Sequence, residues 1–266
     1  MRAGLLTPVA DPLPDAGDRR RLQWQTWLLL ALTLGQSGVY AVLRIIERMT
    51  RPEPLSQQTS TLNTSQVPDR PWLDLLYQLA NAAFLVVPAL MAVFLLATVM
   101  PPTGGRRAMG MDADRPRFDM GWGVGIAACI GVPGLGFYLF AKAVGINTTV
   151  AAANLAEAWW TIPMLVVAAF ANAVVEEVVM VGYLFVRWAQ AGWSVVLVVV
   201  VSSLVRGSYH LYQGWGGFIG NVVMGVAFGL FFVKTRRVWP LVIAHGLIDV
   251  VAFVGYALVA PHVGWL

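Results

Sequence analysis

Charge is what this sequence has least of. Asp, Glu, Lys and Arg make up 12% of its 266 residues while 58% are hydrophobic, above the roughly half expected of ordinary soluble domains. With a mean hydropathy of +0.68, the chain has lipid rather than water as its natural solvent. Cysteine is nearly missing: Cys129 stands alone, which excludes an internal disulfide and a thiolate metal site, and its place in an apolar stretch reads as packing. There is no internal repeat and no soluble ligand-binding motif. No small-residue cleavage site follows the first apolar run, which is also too long for a signal peptide, so that run is expected to remain as a membrane span.

What is present is a series of long apolar runs. A bilayer-spanning helix needs about 20 mainly apolar residues, and such runs fall at Trp24 to Leu43, Leu75 to Met100, Trp122 to Val144, Ile162 to Trp188, Trp193 to Tyr212, Gly216 to Val233 and Trp239 to Ala260. The expected fold is an all-α, polytopic membrane bundle of about seven helices, with six to eight as the range. Residues 1–21 read as a polar N-terminal tail and 22–266 as a single transmembrane domain. Tryptophans at several run ends suit interfacial anchoring. The short segment Thr148 to Trp160, which carries Asn154 and Glu157, reads as an interfacial helix or a partial eighth span.

The formal charge of +4 does not mark a nucleic-acid partner, because the basic residues flank apolar runs in short loops. With the N-terminus inside, the inner loops hold Arg2, Arg19, Arg20, Arg21, Arg106, Arg107, Arg115, Arg117, Arg187, Lys234, Arg236 and Arg237. The outer ones hold only Arg44, Arg48, Arg51, Arg70 and Lys142. That bias places the N-terminus in the cytoplasm and the C-terminus outside. The long segment from Arg44 to Pro71, rich in Thr, Ser, Gln and Pro, is then expected to be external and mobile. His262, near the C-terminus, reads as solvated.

Charged residues inside spans cost about 2.5–3.5 kcal/mol each on insertion scales, so each needs a partner or a purpose. They gather, with polar neighbours, at Asn172, Glu176, Glu177 and Tyr183 in the fourth run, at Arg206 and His210 late in the fifth, and at His245 and Asp249 in the seventh. On an α-helix, residues three or four apart share a face and adjacent ones diverge by about 100°. Asn172, Glu176 and Tyr183 therefore form one stripe, and Glu177 must find its partner on another helix. Arg206 stacks with His210, and His245 with Asp249. A buried Glu beside a His is suited to activating water as a general base. His245 and Asp249 would stabilise the anionic oxygen that results, with Asp249 orienting or charging His245 because an ionised carboxylate cannot donate.

Other readings fit the same residues. The network can simply tie helices together, as in a non-catalytic membrane immunity or scaffold protein, or Glu176, His210 and His245 can relay protons in a proton-coupled transporter. Glu176, His210, His245 and Asp249 are also acceptable ligands for a divalent metal such as zinc, although no His-Glu-x-x-His signature fixes two of them on one helix. Depth is a difficulty. At 1.5 Å per residue His210 lies about 27 Å along its helix from Gly192, and His245 only about 6 Å from Leu241. If both helices start at the inner surface, the fifth must begin in the cytoplasm, tilt strongly, or follow an interfacial turn.

The order of these groups resembles the CPBP family, the CAAX proteases and bacteriocin-processing enzymes also called Abi, related to the Ras-converting CAAX endopeptidases. That family carries Glu-Glu-x-x-x-Arg, then Phe-x-x-x-His, then His-x-x-x-Asn or Asp, on successive membrane helices. Glu176-Glu177, His210, and His245 with Asp249 match in turn, over about Ile162 to Ala260. The resemblance implies an intramembrane endopeptidase acting on membrane-associated proteins or peptides in a lipid bilayer, with Glu176 and His210 activating water and His245 and Asp249 stabilising the oxyanion. Two positions depart from the pattern: the family Arg is Val181 here, and the family Phe is Arg206. Arg206 is expected to reach across to Glu177, moving the cation to a neighbouring helix, with Asn172 in a supporting place.

Overall fold

A computed structural model describes residues 7–97 and 104–263. Arg2 and Met100, an inner-side charge and a span end in the sequence reading, lie outside the described residues. The helices are α1 (Ala16–Ala31), α2 (Leu34–Met49), α3 (Pro71–Ala97), α4 (Gly104–Ala108), α5 (Pro116–Ala143), α6 (Thr161–Glu176), α7 (Leu184–Gln190), α8 (Val195–Ser208), α9 (Trp215–Thr235) and α10 (Trp239–Val259). A π-helical segment, Glu177–Tyr183, joins α6 to α7. The only sheet among the described residues is a parallel ribbon of two short strands, β1 (Thr59–Thr61) and β2 (Thr149–Ala151).

Among the described residues five helical runs are long and apolar enough to cross a bilayer: Pro71–Ala97, Pro116–Ala143, Thr161–Gln190, Trp215–Thr235 and Trp239–His262. The first expected span is broken. α1 and α2 are bent by 51° at Leu32 and Thr33, where Thr33 Oγ1 donates to the Leu29 carbonyl at 2.7 Å and the poor helix formers Gly35, Ser37 and Gly38 follow. Counted as one broken span they make a sixth. α8 has 14 residues, a rise of about 21 Å, so the fifth apolar run does not cross the roughly 30 Å hydrocarbon layer on its own.

The continuous run Thr161–Gln190 is the centre of the bundle, and every residue from Val175 to Gln190 is buried. Phe185 meets Phe232 edge-on at 5.7 Å, and Trp188 stacks on Trp193 at 4.7 Å. Cys129 is exposed on α5, facing outward rather than packing in the core as its surroundings suggested. Arg187, counted above among loop cations, is fully buried; it donates to the Leu95 carbonyl and to Gln190 Oε1 at 2.9 Å.

The two ends of the bundle are tied differently. At one end Leu13 N donates to the Gln190 carbonyl at 2.8 Å and Val238 N to the Met109 carbonyl at 2.9 Å. Arg236 reaches the Thr7 and Pro8 carbonyls. α1 starts at Ala16, with Asp15 accepting from the Asp18 amide as N-cap, so Arg19, Arg20 and Arg21 are already helical. At the other end the segment from Arg44 to Pro71 is held in place, contrary to the expectation of a mobile loop. Ser60 Oγ donates to the Tyr212 carbonyl at 2.9 Å and lies 2.8 Å from Thr148 Oγ1. The stretch Thr148 to Trp160 is correspondingly neither an interfacial helix nor a partial span. Its start, the strand Thr149–Ala151 with β-branched Thr149 and Val150, pairs with β1, and the Thr148 amide donates to the Gln213 carbonyl, which removes these amides from any helix.

Arg237 locks the first end. It donates to Asp119 Oδ1 at 2.6 Å and Oδ2 at 2.7 Å, and to Asp112 Oδ1 at 2.8 Å. Burial pushes the Asp112 carboxyl up, but the hydrogen bonds from Arg237 and the Asp114 amide, together with the charges of Arg237 and Arg107, outweigh this and hold it below the usual carboxylate range. The stabilisation is therefore complete above the ordinary carboxyl range and is lost as pH falls through the lowered value. Arg237→Ala strands the buried Asp119 carboxylate and the half-buried Asp112, and is expected to cost about 3–5 kcal/mol, read as a lower midpoint of thermal unfolding in detergent. A midpoint equal to wild type would show that the cluster contributes nothing.

Candidate active site

The polar groups that the sequence scatters over three apolar runs converge on one centre, midway along Thr161–Gln190. Glu176 is the last residue of α6 and Glu177 the first of the π-helical segment, and both carboxylates are buried. Glu177 Oε1 is a hub. It accepts from Arg206 Nη2 at 2.6 Å and lies 2.8 Å from His245 Nδ1. Arg206, buried on α8, thus reaches Glu177 from the neighbouring helix, and its Nη1 stands 3.5 Å from Glu176 Oε2. The guanidinium also lies over the Phe228 ring, 5.5 Å from its centroid, an additional favourable contact for a desolvated cation.

Glu176 meets its other partners through this same oxygen. Oε2 accepts from the Tyr209 hydroxyl at 2.7 Å and faces His210 Nε2 at 3.9 Å. That distance is too long for a hydrogen bond and allows one water to touch both atoms. Both ring nitrogens of His210 are buried and bond to no group among the described residues. His245 Nε2 stands 3.6 Å from Asp249 Oδ2, an ion-pair separation. Glu177 rather than Asp249 therefore makes the close hydrogen bond to His245, so the orienting part given to Asp249 in the sequence reading is shared with the second glutamate.

Two local features create this convergence. The π-helical segment has a wider turn than an α-helix, which rotates everything after Glu177 relative to α6. Tyr183 consequently leaves the stripe it would share with Glu176 on a regular helix, and donates instead to Gln25 Oε1 at 3.1 Å. Asn172, one α-helical turn before Glu176, is half-buried and makes no hydrogen bond among the described residues. Ser202 of α8 donates to the Met180 carbonyl at 2.8 Å and pins the π-helical segment to α8.

The second feature resolves the depth difficulty, and it lies in α10 rather than in the fifth run. α10 starts inside the bundle: a methyl on Gly182 would stand 3.1 Å from Val238 Cγ2 and 2.7 Å from Met109 Sδ. Val238 is therefore level with Gly182, about 12 Å deeper than Gln190 at 1.5 Å per residue. His245 then needs only two turns to reach Glu177, while α8 ends at Ser208 just beyond the same depth.

Tyr209 has no part in the sequence reading of the site. As neighbours on a regular helix Tyr209 and His210 would diverge by about 100°. Because α8 stops at Ser208 and a 3-10 turn begins at Leu211, both rings face Glu176, with centroids 4.8 Å apart. No periodicity in the sequence signals that stop.

A metal fits this donor set poorly. The groups whose ligand atoms lie within 4.8 Å of one another are Glu176, Glu177 and His245, not the four residues Glu176, His210, His245 and Asp249 that the sequence suggested. Arg206 already stands between the two glutamates at 2.6 and 3.5 Å, so a dication there would press against a buried guanidinium.

Residues 158–251 match the family of type II CAAX prenyl endopeptidases described as Rce1-like. The match shows, for that stretch, the resemblance read from the motifs, and it spans Glu176, Glu177, Arg206, His210, His245 and Asp249. No curated protein and no solved structure shows a significant match to the chain.

Proposed function

We propose that the chain is an intramembrane endopeptidase of the CAAX-protease kind that hydrolyses membrane-associated proteins or peptides in a cell membrane, with its N-terminus in the cytoplasm. One observation carries the reading: Glu176 Oε2 and His210 Nε2 lie 3.9 Å apart, and neither ring nitrogen of His210 has a hydrogen-bond partner among the described residues. A water that donates to Glu176 and to His210 has its oxygen aimed by two fixed groups.

In the reaction, Glu176 takes a proton from that water as the water oxygen bonds to the substrate carbonyl carbon, and the carbonyl π electrons move to oxygen. His245, fixed at Nδ1 by Glu177, in its charged form donates from Nε2 to this oxyanion, with Asp249 alongside. Collapse restores the carbonyl and breaks the C–N bond. The proton held by Glu176 passes to the departing nitrogen, leaving one new carboxyl and one new amine. Arg206 offsets the charge of the glutamate pair throughout, the part the resemblance gives to the Arg that is Val181 here.

The test is cleavage of a library of apolar and membrane-anchored peptides by the purified protein in water enriched in oxygen-18, with and without a chelator. Products are expected to carry one labelled oxygen at the new C-terminus, in equal yield with chelator. Peptides left whole by a folded wild type would favour the scaffold reading. Flux that depends on pH in their place would favour the transporter. Cleavage lost to the chelator would restore the metal.

A further inference from the structure

We infer that Tyr209 is the positioning residue that holds Glu176 in its working orientation; the inference rests on the proteolytic reading above. The phenol is 5% exposed and donates to Glu176 Oε2 at 2.7 Å. A buried phenol has to place its hydroxyl somewhere, so the hydrogen bond alone says little. What gives it a role is the choice of atom.

Three groups meet at Glu176 Oε2: Tyr209 at 2.7 Å, Arg206 Nη1 at 3.5 Å and His210 Nε2 at 3.9 Å. Only the first is a hydrogen bond by distance. Arg206 is committed to Glu177 through its other nitrogen at 2.6 Å, and His210 is spaced for a water. Nothing among the described residues bonds to Glu176 Oε1. Tyr209 is thus the one contact that stops the carboxylate from rotating about its terminal bond, a soft and roughly two-fold torsion. Without it Glu176 can swing Oε2 toward Arg206 and close a tighter ion pair, drawing the base away from His210.

The backbone supports the same conclusion. Tyr209 is the C-cap of α8 and His210 follows with φ −100° and ψ 0°, so the helix end that aims His210 at Glu176 also aims the phenol. Orientation of the base and placement of its partner are set by one turn of chain. A general base displaced by a fraction of an ångström loses rate without losing substrate affinity.

The experiment is Tyr209→Phe, which keeps the ring and its packing and removes only the hydroxyl. Cleavage of an internally quenched transmembrane peptide in proteoliposomes is expected to show kcat lower by about ten- to hundredfold, the range for losing a hydrogen bond to a charged acceptor, with KM within about twofold. In parallel, the carboxylate stretching band assigned to Glu176, by infrared difference against Glu176→Gln, is expected to move in Tyr209→Phe. A Tyr209→Phe protein with wild-type kcat, or one whose Glu176 band stays in place, overturns the inference. Failure of the proteolytic reading looks different, because there Glu176→Gln itself still cleaves the peptide.

Discussion

Glu176→Gln is expected to lower peptide cleavage by about a thousandfold, within the range supplied by a positioned general base. The amide is close in size to the carboxylate and its oxygen still accepts from Tyr209, so the fold survives and the loss reports chemistry. His210→Ala is expected to cost nearly as much, since one water serves both groups across the 3.9 Å gap. The double variant should then fall no further than either single one, because residues acting as a unit lose their joint contribution once. Rates measured with the transmembrane peptide at saturating concentration, alongside unfolding midpoints, decide this. Losses that multiply in the double variant would mean that the two side chains act on separate steps, and full activity in Glu176→Gln would end the proteolytic reading.

Arg206→Ala is expected to cost about 3–5 kcal/mol of stability, the range for removing one partner of a buried pair. The reason is what stays behind. Glu177 has no exposed surface, Glu176 precedes it on the chain, and among the described residues both lose their one arginine partner. Glu177→Gln in the same background should recover most of the loss by removing one of the two stranded charges, at a small expense in the hydrogen bond to His245. Midpoints of unfolding in detergent for the four proteins of this double-mutant cycle give the coupling directly. A coupling near zero, with no rescue, would mean that the 2.6 Å contact contributes nothing to folding and that Val181 has left Glu177 without an effective counter-charge.

How much of the site was legible follows from how local each signal is. Glu176, Glu177, Arg206, His210, His245 and Asp249 announce themselves because a bilayer makes each charge expensive, and apolar runs display them against a plain background. The cation exchange between Val181 and Arg206 could be read the same way, from a charge missing at one place and surplus at another. Tyr209 could not be. A tyrosine in an apolar run carries no such penalty, and the regular helix that periodicity assumes turns it away from His210. The Tyr183 stripe failed for the converse reason, since a regular helix was assumed where the chain is π-helical. The segment from Arg44 to Pro71 has the composition of a loose loop, and only its pairing with Thr149–Ala151 and Tyr212 makes it a fixed cover at one end.

Composition and spacing by themselves therefore determined that this is a helical membrane protein, which polar residues stand inside its apolar runs, and which family pattern those residues follow. Those are properties of single segments, fixed by the cost of placing charge in hydrocarbon and by residue order. The tertiary structure decided the depth at which α10 starts, where α8 stops, and which oxygen of which glutamate meets each partner. Such features depend on how far helices slide and turn against one another. That is set by contacts such as Gly182 with Val238 and Ser202 with Met180, between residues distant in sequence, and no local period records them.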